Sequence, residues 1–79
     1  MNKTIGDRIA SLRKEKGITQ EEMAEKLGVT PQAVSKWEND ISYPDILLLP
    51  KIAEMLGVTV DELLSGENKK ETRILPKEQ

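Results

Sequence analysis

Cysteine, histidine and phenylalanine are all missing from this 79-residue chain, and the absences remove whole classes of function. Without thiolate or imidazole there is no disulfide framework, no Cys/His metal site and no Ser-His-Asp catalytic triad. No nucleophile, base and oxyanion arrangement can be assembled from the remaining residues, so the chain is read as a non-enzyme without a cofactor. Long apolar runs are missing too. The longest, Ile46 to Pro50, is far shorter than a membrane span, and Met1-Asn2-Lys3-Thr4 opens no stretch of signal-peptide length. A soluble, cytoplasmic protein with no membrane partner is expected.

A basic excess is also lacking: 12 Lys and Arg stand against 14 Asp and Glu, whereas nucleic-acid binders are usually basic. The charge is unevenly placed. Residues 1–36 hold seven basic and five acidic residues, and residues 37–66 hold one basic and six acidic. A dipolar molecule could set its first half on phosphates and turn its acidic half away, with weak non-specific affinity.

One short phrase occurs three times: Gly17-Ile18-Thr19, Gly28-Val29-Thr30 and Gly57-Val58-Thr59. Each copy separates stretches with helical spacing of apolar residues. The Gly can adopt the left-handed conformation that ends a helix, the apolar residue anchors the turn, and the Thr caps the next helix. Tight corners and steep helix crossings follow. Ala24 to Thr30 is echoed by Ala53 to Thr59, but two copies are too few for a solenoid. The echo is read as one corner used twice.

These signals predict an all-α bundle of five short helices over residues 5–16, 20–27, 31–38, 47–56 and 60–65, a domain at 1–66, and a polar tail or linker at 67–79. Thr4 with Asp7, Thr19 with Glu22 and Thr59 with Glu62 cap the first, second and fifth helices. Pro31 opens the third and Pro50 delays the fourth. The expected inward residues are Ile5, Ile9 and Leu12; Met23, Ala24 and Leu27; Val34, Trp37 and Ile41; Leu48, Leu49, Ile52, Ala53 and Leu56; and Val60, Leu63 and Leu64.

The corner at Gly28-Val29-Thr30 joins two short amphipathic helices in the outline of a helix-turn-helix, which reads DNA with its second helix. That second helix, 31–38, has no acid in its first turn, whereas the first, second and fifth helices do. The omission leaves its positive end available to a phosphate-rich partner. Gln32, Ala33, Ser35 and Lys36 make up its expected exposed face. A carboxamide suits adenine, an ammonium suits guanine and a methyl suits thymine. Gln20, at the start of the preceding helix, could touch a phosphate.

The run Ile18 to Asn39 (ITQEEMAEKLGVTPQAVSKWEN) resembles the phage repressor and Cro family, also called the XRE family, and the resemblance extends from about Ile5 to Gly66. It implies a five-helix, lambda-repressor-like fold that binds operator DNA, usually as a homodimer on a palindrome, with the third helix in the major groove. By position, Thr30, Gln32, Ala33 and Lys36 match base-facing and groove-edge sites. Gln20 and Asn39 match phosphate-positioning sites, to which Ser35 and Arg13 are added. Arg13 and Glu38 match an ion pair tying the first helix to the third, and Trp37 matches a core position. The chain departs from several relatives in the loop after the third helix, where Asp40 to Asp45 carries no Lys or Arg. Tyr43 in that loop either bonds to the backbone or covers the core.

The resemblance thus implies a sequence-specific transcriptional regulator, read as a repressor. A protein-binding module on the same fold, such as an antitoxin or adaptor, is the alternative that the acidic balance favours. Leu47, Leu48, Val60 and Leu64 are candidates for a dimer surface, unless the core uses them all. Ile74-Leu75 is a candidate for the additional apolar element that the protein-binding alternative would carry, and the tail, with a helix-like start at Pro76, is read either as the stub of a longer regulator with a C-terminal effector domain or as a disordered natural end.

Overall fold

Threonine hydroxyls start four of the five α-helices, and left-handed glycines follow four of them. The computed structural model describes residues 4–66. In order along the chain these form α1 (Ile5–Glu15), α2 (Gln20–Leu27), α3 (Pro31–Glu38), a 3-10 turn (Ile46–Leu48), α4 (Leu49–Leu56) and α5 (Val60–Ser65). All regular structure among the described residues is helical, and no helix there is long and apolar enough to cross a membrane. The expectations about Ile74-Leu75 and Pro76 fall outside the described residues.

The three repeated phrases build the same corner. Gly17, Gly28 and Gly57 have φ of 71°, 75° and 76°. Ile18, Val29 and Val58 each donate a backbone N–H at 3.0 Å to the carbonyl five residues earlier, on Arg13, Ala24 and Ala53. This is the closing bond of a Schellman motif, and it satisfies carbonyls that the helix end would otherwise leave unpaired. Thr19 and Thr59 then form reciprocal capping boxes with Glu22 and Glu62, as Thr4 does with Asp7.

Ile9, Met23, Ala24, Leu27, Val34, Trp37, Ile52, Ala53, Leu56 and Leu63 form one core drawn from every helix. Leu12, Leu48, Leu49 and Val60 pack half-buried against it. α3 lies against both α1 and α2, while α5 closes the other side against α1 and α4.

Several expected inward residues face solvent instead. Ile41 is 71% exposed, because the chain leaves helical geometry at Asn39 and Asp40, so the one-turn spacing from Trp37 no longer applies. Leu64 is 47% exposed, and Leu63 alone in α5 is fully buried. Tyr43 is 68% exposed and does not cover the core. The helix expected from residue 47 divides into two segments. Asp45 caps a 3-10 turn through Leu47 N at 2.9 Å, and regular helix begins at Leu49, with Pro50 in its first turn where a missing N–H costs nothing. That division leaves Ile46 and Leu47 exposed.

Two connections had no local signal. Arg8 reaches across from α1 to the end of α5, where Nε donates to the carbonyl of Leu63 at 2.7 Å and Nη2 donates to that of Leu64. A cation on these last carbonyls also complements the helix dipole. Gly6 is buried where α1 meets the end of α3. A Cβ there would collide with the carbonyl oxygen of Trp37 and lie 2.9 Å from that of Glu38.

Burial sets the expected mutational response. Ile52→Ala should cost about 2–5 kcal/mol in urea unfolding, whereas Leu47→Ala should stay within about 0.5 kcal/mol of the wild type. Equal losses at both positions would contradict this division between core and surface.

Candidate nucleic-acid interface

The corner Gly28-Val29-Thr30 delivers α3 with its N-terminus exposed. Thr30 Oγ1 accepts from Ala33 N at 3.1 Å, but no acid reciprocates, because the third helical position is Ala33. The first turn of α3 contains no acidic residue. α4 shares that feature, so it does not by itself single out α3.

Val34 and Trp37 face inward, which turns Gln32 and Lys36 outward, one turn apart. Both are exposed. Ala33 and Ser35, expected on the same exposed face, are half-buried, and Ala33 packs against the core. The outward face of α3 is therefore narrower than its polar sequence implies. Asn39 ends the helix, with Nδ2 donating to the carbonyl of Ser35 at 2.8 Å.

Beneath this face lies a network centred on Glu38. Arg13 Nε donates to Glu38 Oε2 at 2.6 Å and Nη2 to Oε1 at 3.1 Å, a two-pronged pairing with the side chains only 10% and 7% exposed. Arg13 Nη1 donates to the carbonyl of Ile18 in the first corner at 2.8 Å. Gln20 Nε2 donates to Glu38 Oε1 at 3.0 Å. One carboxylate thus joins α1, the start of α2 and α3, while Arg13 carries the connection on to the corner between the first two.

The network changes the roles expected of two residues. Arg13 is buried with its guanidinium nitrogens turned to internal acceptors, so it orients α3 through Glu38 instead of reaching toward a phosphate. Gln20 also reaches inward with one amide proton, leaving only part of its carboxamide for an outside partner. The hydrogen bond to Glu38 raises the Arg13 pKa above its ordinary value, outweighing the opposing effect of burial. A raised pKa in the folded state means that this contribution to stability is fully present below the ordinary guanidinium range and is lost only as pH climbs through the raised value.

The charge distribution along the sequence overstates the basic surface. Arg8 and Arg13 point to internal carbonyls and to Glu38, and the Lys16 side chain lies over Gly57 at the end of α4. Lys36 is the cation on the outward side of α3.

A helix-turn-helix family model matches residues 9–63. The chain is 46% identical over 63 residues to the HTH-type transcriptional activator BcrR of Enterococcus faecalis, covering 80% of this chain and 31% of that protein. It is 40% identical over 68 residues to the HTH-type transcriptional regulator SinR of Bacillus subtilis (strain 168), covering 85% of this chain and 61% of that protein. It is 33% identical over 64 residues to the immunity repressor of Bacillus phage phi105, covering 81% of this chain and 44% of that protein. The chain thus spans less than two thirds of each of these relatives. Among solved structures it resembles the P22 c2 repressor in complex with a synthetic operator, with a TM-score of 0.79 and 30% identity over 84% of this chain and 100% of that one.

Removing Glu38 should be more damaging than replacing the whole pair. Glu38→Ala strands a buried guanidinium and is expected to cost about 3 kcal/mol or more, whereas Arg13→Met with Glu38→Leu should recover much of that loss. Urea unfolding of the single and double variants checks this. Additive losses would mean that the two side chains act independently.

Proposed function

Because the chain belongs to the helix-turn-helix family, we propose that it is a sequence-specific DNA-binding transcriptional regulator, a repressor acting in the cytoplasm, that lays α3 in the major groove. The observation that carries this reading is the outward pair Gln32 and Lys36 on a helix held from behind by Arg13, Gln20 and Glu38. Flexible polar side chains read bases only when their backbone is rigidly placed, and this network supplies the rigidity.

The roles follow from chemistry. Gln32 can donate to and accept from one adenine, and Lys36 can donate to guanine O6 and N7. The half-buried methyl of Ala33 offers thymine a close apolar surface, and Thr30 stands at the groove edge. Gln20, Ser35 and Asn39 face phosphates and set the register without reading sequence. Occupying an operator in this way would block transcription. The similarity to the P22 c2 repressor, solved in complex with a synthetic operator, supports this arrangement.

Two copies on a palindrome extend the reading, since one short helix contacts few bases. The exposed Ile46 and Leu47, with Leu64, are among the apolar side chains available for such pairing, whereas Leu48 and Val60 are already half-covered by the core. Few outward cations near α3 imply weak non-specific binding and a shallow dependence on salt.

Selection from a pool of random duplexes at moderate salt tests the proposal. An enriched palindrome is expected, with Gln32→Ala and Lys36→Ala each weakening binding by about 1–3 kcal/mol and relaxing preference at different base pairs. A folded protein that enriches no sequence would sink the proposal and favour the protein-binding use of the same fold.

A further inference from the structure

The chain after α3 does something that its polar sequence does not announce. Asp40 adopts φ of 60°, the one non-glycine residue with positive φ among the described residues. L-residues rarely occupy this region, although Asp and Asn tolerate it better than most. Its carboxylate has a specific use there. Oδ2 accepts from Thr4 Oγ1 at 2.7 Å and Oδ1 accepts from Gly6 N at 3.2 Å, both at the opening of α1. Thr4 Oγ1 meanwhile accepts from Asp7 N at 3.0 Å, so local and long-range caps share one hydroxyl. The positive end of α1 therefore carries an acid brought from beyond the end of α3. Gly6 makes the approach possible, because a side chain there would strike the Trp37 carbonyl and crowd Asp40.

The geometry points to Asp40 as a positioning residue for DNA reading: together with Gly6 it latches the C-terminal end of α3 onto the N-terminus of α1. The Arg13–Glu38 pair joins the same two helices at a second place. A single attachment to α1 leaves α3 more room to pivot against its apolar core contacts, and a second restricts that pivot. Gln32 and Lys36 lie up to two turns from the latch, so a small pivot at Asp40 becomes a larger displacement at the base edges. The left-handed turn aims the carboxylate back toward α1, which accounts for an acid at a backbone position that glycine would adopt more easily. This inference rests on the DNA-reading proposal above.

Asp40→Gly removes the carboxylate while keeping the backbone conformation accessible, and Asp40→Asn keeps both the left-handed tolerance and one acceptor oxygen. Affinity is measured for the duplex enriched by the wild type and for a scrambled duplex, at a temperature where circular dichroism shows each variant folded. Asp40→Gly should weaken the enriched duplex by about tenfold, the order of one lost base contact, with scrambled binding little changed. Asp40→Asn should restore most of the difference. A purely structural role would lower the melting temperature without changing the ratio of the two affinities. Residual dipolar couplings of the free proteins provide a readout without DNA: the angle between α1 and α3 should change in Asp40→Gly and return in Asp40→Asn. Wild-type discrimination in a folded Asp40→Gly, or unchanged couplings, would overturn the assignment. If Asp40→Gly does not fold, Thr4→Gly, which removes the hydroxyl that donates to Asp40 Oδ2 and weakens the helix cap only slightly, is compared with wild type directly, and a wild-type affinity ratio with unchanged couplings likewise overturns it. If the wild type enriches no duplex, the DNA-reading proposal fails, and the couplings still decide whether the latch sets the helix angle.

Discussion

The carboxylate of Glu38 is the point on which the arrangement of the first three helices depends. It receives two bonds from Arg13 and one from Gln20, and Arg13 passes the connection on to the carbonyl of Ile18. A buried ion pair is seldom a strong source of net stability, because desolvating both charges offsets most of their attraction. Its value here is directional. The core contacts of Val34 and Trp37 are apolar and tolerate rotation, whereas a two-pronged Arg–carboxylate pair has a defined geometry. For the proposed presentation of Gln32 and Lys36 at a fixed angle, that geometry contributes more than another aliphatic contact would.

Around this centre the chain uses a single solution for three of the four connections between consecutive α-helices. Glycine, an aliphatic residue and threonine end one helix and begin the next within three residues, so almost no chain is left as loop among α1, α2 and α3. The connection between α3 and α4 is different. Residues 39–45 contain no such corner, and there the chain makes a left-handed turn at Asp40, an exposed stretch through Ile41 and Tyr43, and a 3-10 turn capped by Asp45. This is also where apolar side chains remain uncovered.

The electrostatics follow from the same economy. A chain with more acids than bases can still offer a phosphate-facing surface if its acids are placed elsewhere or neutralised internally. Glu38 is neutralised by Arg13, Asp40 sits on the dipole of α1, and Glu22 and Glu62 are held in capping boxes. The cost is that Arg8 and Arg13, which inflate the basic count of the first half, are themselves used internally. Net charge per segment is therefore a poor guide to surface potential in a domain this small, where one or two buried residues change the sign of a face.

The sequence by itself determined the starts and stops of α1, α2, α3 and α5 to within a residue, the amphipathic stripes of α1 to α3 and the identity of Gln32 and Lys36 as outward neighbours. These depend on interactions within three to five residues, where capping and helical periodicity leave few alternatives. The pairing of Arg13 with Glu38 was legible through family resemblance alone, since nothing local joins residues so far apart. The tertiary structure decided the rest: Gln20 turned toward Glu38, Arg8 placed on the end of α5, Gly6 pressed against the carbonyls of α3 and Asp40 turned back onto α1. It also decided that Ile41, Leu47 and Leu64 remain outside, because burial depends on which neighbouring surface is already occupied. Local rules say which way a side chain points along its own helix, and only the packed bundle says what it meets there.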